Sequence, residues 1–413
     1  MVHLEKPISE PASSESKKLN AIVEVVKETR WIFSILGVWH MIKKNTTTTE
    51  KSISRMMHLI CQSLLAFVII PAIIQLCWRE KNINVKLAYF GPLGCAIACA
   101  LKYLIIIYRH KAIKNCIEKI EKNWYQIVNE ENLAIMIKNM EMGKRMTTLC
   151  GSFMYCGGVL HQIMIPFLPG SMVSIANNSS GRLLVYPVYD MMFNDQMSPV
   201  YEIMYIIHII TGMIVCTTTI ASSHLSILFT THISGQNQII ILKLKNLINT
   251  EDTEEQNVNQ RMAEIIKFHL DLIKFSFDVE KTLREICMIA TLEALCIICM
   301  AEYYSIVAWK HNESLSTIIH LILLQAFIGN FFVFCHIGEL LKEQFQKAGE
   351  AVYMTEWYRL SQKNAKAMIV INAVTQHPPK ITAGALMELS YDGFVFVIKT
   401  TAAYFNILRM VEL

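Results

Sequence analysis

Apolar residues gather along this chain into seven long runs separated by polar, charge-bearing segments. Met56 to Trp78 gives 23 residues without Asp, Glu, Lys or Arg, Met146 to Gly181 gives 36, Ile203 to Leu242 gives 40 and Ser314 to Gly338 gives 25. About 20 apolar residues carry a helix through roughly 30 Å of hydrocarbon, so each of these runs predicts a membrane span. Three weaker runs complete the set: Leu87 to Tyr108 contains Lys102, Ile286 to Ala308 contains Glu293 and Glu302, and Ala383 to Leu408 contains Glu388, Asp392 and Lys399. The pattern predicts an all-α protein with seven transmembrane helices.

Helical periodicity also extends outside the spans. Residues 21–39 carry apolar side chains at helix spacing, with Lys27 and Arg30 on the other face. Such a segment either lies in the inner leaflet or packs as a soluble helix on the rest of the protein. Apolar positions from Met262 to Ile286 predict a helix running on from the fifth span, and Glu339 to Asn372 also reads as helix. Pro378 and Pro379 break it, and the last span is expected to start near Thr382 or Ala383. Glu251, Asp252, Glu254 and Glu255 mark a polar connection. The expected organisation is a tail over 1–55, six spans over 56–338, a helical assembly region over 339–382 and a last span with its tail over 383–413.

Basic residues give the chain a direction. The segments 1–55, 109–145, 230–285 and 338–382 hold 9, 8, 7 and 6 Lys or Arg, whereas 79–86, 169–200 and 309–314 hold 3, 1 and 1. Basic flanks stay in the cytoplasm, so the N-terminus is expected inside and the C-terminus outside, with long cytoplasmic helical extensions. That sidedness is opposite to a G-protein-coupled receptor. The sequons at Asn177, Asn178 and Asn312 fall in loops placed outside, while that at Asn45 falls inside and is expected to be unused.

Composition agrees with this reading. A chain of 413 residues that is 53% hydrophobic and 17% charged is too apolar for one soluble core, and a net charge of +4 without a basic stripe excludes nucleic acid as a partner. The first 20 residues are polar and lack the apolar core of a signal peptide. The 12 cysteines avoid the external loops, and the Cys296–Cys299 pair lacks a second pair at zinc spacing, so all are read as packing residues and neither metal nor cofactor is expected.

Charges within spans each require an explanation, because an ion facing lipid at mid-depth costs about 2.5–3.5 kcal/mol on insertion scales. Lys102 is expected to snorkel to the nearer interface. Glu293 and Glu302 fall on opposite faces of one helix, so a joint carboxylate site is excluded. Glu388, Asp392 and Lys399 share one stripe of the last span, a face expected to line water. No nucleotide, zinc-protease or serine-hydrolase motif appears, and His161, His208, His320 and His336 sit singly on different spans, which argues against an enzyme.

The C-terminal third carries a family signature. CHIGELL (Cys335–Leu341), AVYMTEWY (Ala351–Tyr358), ITAG (Ile381–Gly384) and LSYDGFVFVIKTTAAYFNILRM (Leu389–Met410) resemble, in order and spacing, the insect odorant receptor family, and LGVW (Leu36–Trp39) is similar to its N-terminal signature. Ala403 before Tyr404, with Arg409 and Met410 beyond, departs from the ending of the sister gustatory receptors. The resemblance implies an odorant-gated, non-selective cation channel subunit, a tuning subunit in a heterotetramer with the olfactory co-receptor, in the plasma membrane of olfactory neuron dendrites. Its partners would be that co-receptor, a volatile odorant, membrane lipid and permeating cations. The pore gate would fall at Ile398, Ala402, Asn406 and Arg409. Odorant would bind in the outer halves of the second, third, fourth and sixth spans, at a depth reached by Phe90, Met154, Gly158, His161, Gln162, Tyr205, His208, Met213 and His320. The competing readings are a gustatory-type channel, a G-protein-coupled seven-helix receptor and a transporter. Sidedness separates the receptor coupled to G proteins, and substrate flux without an agonist-gated current would separate the transporter.

Overall fold

A computed structural model describes residues 27–43, 47–168, 183–188, 196–247 and 255–411. Asn177 and Asn178, Asn45 of the internal sequon, and Glu251, Asp252 and Glu254 of the polar connection lie outside them, while Glu255 opens a helix. The described chain is almost entirely helical. A helix through 27–35 (α1) and the short Trp39–Ile42 (α2) precede Thr48–Ile74 (α3), Ile83–Tyr108 (α4), His110–Tyr125 (α5) and Glu130–Met154 (α6). A π-helical turn over Tyr155–Val159 leads into Leu160–Met164 (α7), and then come Val200–Lys245 (α8), Glu255–Lys310 (α9) and Ser314–Met354 (α10). Gln362–Thr375 (α11), a two-stranded hairpin of Thr382–Ala383 (β1) and Met387–Glu388 (β2), and Tyr391–Val411 (α12) complete the fold.

Among the described residues, α3 with its π-helical end, α4, α8, α9 and α10 are each long and apolar enough to cross a membrane. The third apolar run begins in the α6–α7 run, interrupted by its π turn, and the last run ends in α12, which carries Asp392 and Lys399. At 1.5 Å per residue, α8 with 46 residues, α9 with 56 and α10 with 41 reach about 69, 84 and 62 Å, roughly twice the hydrocarbon thickness or more. Their extensions pack on one another and on α11, burying Met262, Ile265, Phe275, Phe345 and Met368. Burying such side chains contributes about 1.5–3 kcal/mol each.

Of the two alternatives for the segment before the first span the structure shows the packed one, and four expectations are corrected. α1 packs on the bundle: Phe33 and Leu36 are fully enclosed, and Thr29 Oγ1 lies 2.9 Å from His224 Nε2, so the bundle takes up the segment's apolar face. The 339–372 segment is not one helix, because α10 continues unbroken past Gly338 to Met354 and the chain then turns through Trp357–Arg359 before α11. The last helix begins at Tyr391 and not near Thr382. Glu388 therefore lies off it, on β2, with its carboxylate 2.6 Å from Lys380 Nζ.

Lys102 does not snorkel either. Its side chain is wholly enclosed, and Nζ lies 2.5 Å from Glu293 Oε2 and donates to Thr219 Oγ1 at 2.8 Å. Enclosed between α4, α8 and α9, the ammonium could reach no interface, and the pair neutralises both charges in place.

The hairpin packs on α9, where Thr382 Oγ1 donates to Glu280 Oε1 at 2.7 Å and Gly384 N–H to Arg284 O at 3.2 Å, and the chain leaving it passes closely over α10. An atom at the Cβ position of Gly338 would lie 2.0 Å from the Leu389 carbonyl oxygen, so the CHIGELL glycine is the contact that lets the chain cross α10 before α12. Leu389 N–H closes the turn on Ile381 O at 3.0 Å.

Candidate functional site

A cavity opens among α4, the α6–α7 run, the segment 183–188, α8, α9 and α10, at the end of the bundle away from the helical extensions. Ligand pockets commonly have mostly apolar walls and a few placed polar groups, and this one has that character. Its apolar wall includes Met154, Ile165, Val215, Met300, Leu323 and Phe327.

Local sequence explains why a space persists here. Tyr155–Val159 forms a π turn containing Gly157 and Gly158, which widens the helix where it meets the cavity. Such turns inside α-helices often accompany functional sites. On α8, a Cβ at Gly212 would stand 2.8 Å from the Gln162 amide carbon, so the glycine makes room for that side chain.

The polar groups are arranged in two sets. Tyr304 Oη donates to Leu87 O at 2.8 Å, Cys216 Sγ to Met154 O at 3.4 Å and Cys95 Sγ to Glu293 Oε1 at 3.4 Å, so these are held by protein. The second set faces inward: Gln162 Nε2 donates to Tyr186 Oη at 3.2 Å while Gln162 Oε1 has no partner among the described residues, and the His161 and His320 rings meet edge to face at 5.5 Å. His161 and His320 therefore do not stand singly, as their isolated positions in the sequence suggest.

Of the nine residues expected at ligand depth, Met154, Gly158, His161, Gln162 and His320 line the cavity. His208 is enclosed behind it, edge-on to Tyr186 at 5.2 Å, and Tyr205 lies outside the wall with its hydroxyl donating to Ile163 O at 3.0 Å. Phe90 and Met213 point away from the cavity, 53% and 44% exposed on the outside of the bundle. Sequence reasoning missed Cys95, Tyr186, Met300 and Tyr304, and with them the contribution of the fifth span. The available signal was Glu293 facing Lys102, a pair that brings α9 against α4.

α12 presents two faces. Val397 and Thr401 are buried against the bundle, whereas Asp392, Lys399 and Asn406 repeat every seven residues along an exposed stripe. Ala402 is exposed beside them and Ile398 is half-buried. The Arg409 side chain lies outside the described residues. Neither Asp392 nor Lys399 has an ion-pair partner among the described residues. Asn312, exposed in the tight turn between α9 and α10, adopts φ 58°.

Comparison with known proteins places this geometry in a family. The chain is 25% identical over 158 residues to odorant receptor 49a of Drosophila melanogaster, a match covering 38% of this chain and 39% of that receptor. It is 21% identical over 342 residues to odorant receptor 10 of Aedes albopictus, covering 81% and 86% respectively. Its fold superposes on the insect olfactory receptor OR5 of Machilis hrabei, solved in complex with eugenol, with a TM-score of 0.77, 14% identity and coverage of 94% of this chain and 99% of that one. The profile of the 7tm odorant receptor family matches residues 82–402, and the chain belongs to that family of seven-helix membrane proteins.

Proposed function

We propose that this chain is the odorant-binding subunit of a ligand-gated, non-selective cation channel, in which a small volatile molecule occupies the cavity beside the π turn. The observation that carries the reading is the cavity itself: apolar walls, few polar groups and a position between six segments, one of which, α9, also packs on α12. A ligand wedged there acts on α9 and through it on the last helix. A micromolar ligand needs about 8 kcal/mol, which apolar burial with one or two hydrogen bonds supplies. A pocket of this kind separates neighbouring chain lengths by only about 1–3 kcal/mol per methylene, so tuning across a homologous series is broad.

In this reading four subunits, including the shared co-receptor, surround a pore lined by α12. The stripe of Asp392, Lys399 and Asn406 faces the ion path, and Ile398, Ala402, Asn406 and Arg409 flank the gate. Small and polar side chains at Ala402 and Asn406 seal the gate poorly, so this subunit relies on its partner. The N-terminus and the extensions of α8–α11 lie in the cytoplasm and form the assembly platform, and the hairpin end of α12 lies on the same side. The expected site of action is the plasma membrane of an olfactory neuron's dendrite.

The test is expression with and without the co-receptor in a heterologous cell, with a panel of volatiles that includes eugenol applied under voltage clamp. The proposal expects volatile-evoked inward current only with the co-receptor. Robust current from this chain alone, or no current from any volatile despite surface expression of both subunits, contradicts it.

A further inference from the structure

The polar groups on the cavity wall are mismatched in a way that selects among ligands. His320 Nδ1 lies 2.8 Å from the Ser316 carbonyl oxygen. A carbonyl can only accept, so Nδ1 carries the proton and the neutral ring presents Nε2 as a bare acceptor. No partner for Nε2 appears among the described residues, although His320 is 95% buried. Gln162, 91% buried, adds a second unmatched group. With its amide placed as Nε2 donating to Tyr186, Oε1 needs a donor; with the amide reversed, Tyr186 donates to oxygen and Nε2 needs an acceptor. His320 Nε2 needs a proton in either case.

Resting on the odorant-binding reading above, we propose that the preferred ligands of this cavity are small neutral hydroxyl compounds, volatile alcohols or phenols, with the hydroxyl donated to His320 Nε2 and Gln162 beside it as the second polar contact. A hydroxyl both donates and accepts, so it meets the demand at His320 and also engages the Gln162–Tyr186 pair. A ketone or aldehyde can accept but leaves His320 unsatisfied. An ether does the same, and a hydrocarbon matches neither group. Carboxylic acids are disfavoured for a different reason: the one enclosed cation near the cavity among the described residues, Lys102, is already neutralised by Glu293. The thiol of Cys95 and the hydroxyl of Tyr304 add no demand of their own, because both are held by protein acceptors. A site built around an unmatched acceptor rejects analogues that lack the donor more strongly than it rejects a changed chain length.

The test uses the full chain with its co-receptor and two matched sets: cyclohexanol, cyclohexanone and methoxycyclohexane, and benzyl alcohol, benzaldehyde and benzyl methyl ether. Dose–response currents are expected to show the alcohol at least ~10-fold more potent than its carbonyl and ether partners in each set that activates, the scale of one satisfied buried hydrogen bond. His320→Phe, which keeps a ring and removes the acceptor, is expected to bring the alcohol-to-ether potency ratio close to one; His320→Gln, which can still accept, restores part of it. A wild-type receptor that responds equally or better to the ketones or ethers overturns the hydroxyl preference while leaving the odorant-channel reading intact. Silence to every volatile with both subunits at the surface overturns both. The wild-type ratios decide the matter even where a variant fails to reach the surface.

Discussion

Lys102 on α4 and Glu293 on α9, 191 residues apart in sequence, form an ion pair sealed inside the bundle, with side-chain exposures of 0% and 3% and 2.5 Å between Nζ and Oε2. Cys95, whose thiol donates to the other carboxylate oxygen, also lines the ligand cavity, so the pair forms the polar underside of that cavity. Removing one partner strands the other charge in an apolar interior. Lys102→Met or Glu293→Gln alone should destabilise the fold by about 3–5 kcal/mol, while the double replacement Lys102→Met with Glu293→Leu should recover much of that loss. Thermal unfolding of purified protein in detergent checks this, and additive losses in the double variant would show that the pair is not coupled.

The crossing of α10 by the chain at Leu389, after the hairpin, depends on the absence of a side chain at Gly338. Its Cβ would stand 2.0 Å from a backbone oxygen, which cannot swing aside as a flexible side chain can. Gly338→Ala should therefore cost at least about 1–3 kcal/mol and sharply reduce surface expression. Expression at the wild-type level, measured by surface biotinylation, would show that the hairpin shifts freely.

His269 in the α9 extension is 2% exposed, packed against Phe345 with 6.3 Å between ring centroids, and both its nitrogens lack partners among the described residues. Burial pushes its pKa down to about 4, so the folded form holds it neutral. The unfolded chain takes up a proton below about pH 6.5 and the folded form does not, so this contribution is whole above that pH and is lost as pH falls toward 4. Stability should fall by up to about 1.4 kcal/mol per pH unit through that window, and His269→Phe should flatten the slope. Tm measured in detergent across the window decides it; an unchanged slope in the variant would assign the pH dependence elsewhere.

The exposed stripe on α12 yields a conductance prediction. If Asp392 and Lys399 face the ion path, Lys399→Glu should raise cation conductance and divalent permeability, and Asp392→Lys should lower both. Reversal potentials in mixed cation solutions would reveal the change. Identical permeation in both variants would place the stripe against lipid or another helix.

The sequence was most legible where period and charge are unambiguous. The charge-free runs from Met56, Ile203 and Ser314 each coincide with a membrane-long apolar helix, the apolar positions from Met262 to Ile286 marked the α9 extension, and the motifs around Gly338 and Tyr391 marked the family. Helix rotation was less legible. Phe90 and Met154 are both apolar residues in spans at the expected depth, yet one faces outward and the other lines the cavity. A membrane helix that is apolar all round gives no stripe to separate lipid from pocket. Lys102 was misread because snorkelling depends only on distance along the helix, whereas its ion pair depends on a neighbour 191 positions away. The hairpin was hidden for another reason: Ile381 to Leu389 is apolar enough to read as the start of a span, and only the close approach at Gly338 shows that the chain crosses α10 before turning into α12.

Filling the cavity tests the central claim most directly. Leu323 lines it from α10, half-buried, and Leu323→Trp would place an indole in the space assigned to the ligand. Odorant dose–response curves recorded with the co-receptor, alongside surface biotinylation, should show normal surface density with sensitivity lowered at least ~10-fold, equivalent to about 1.4 kcal/mol of lost binding. Unchanged potency for every active volatile, at equal surface density, would contradict the assignment of this cavity as the site from which the channel is opened.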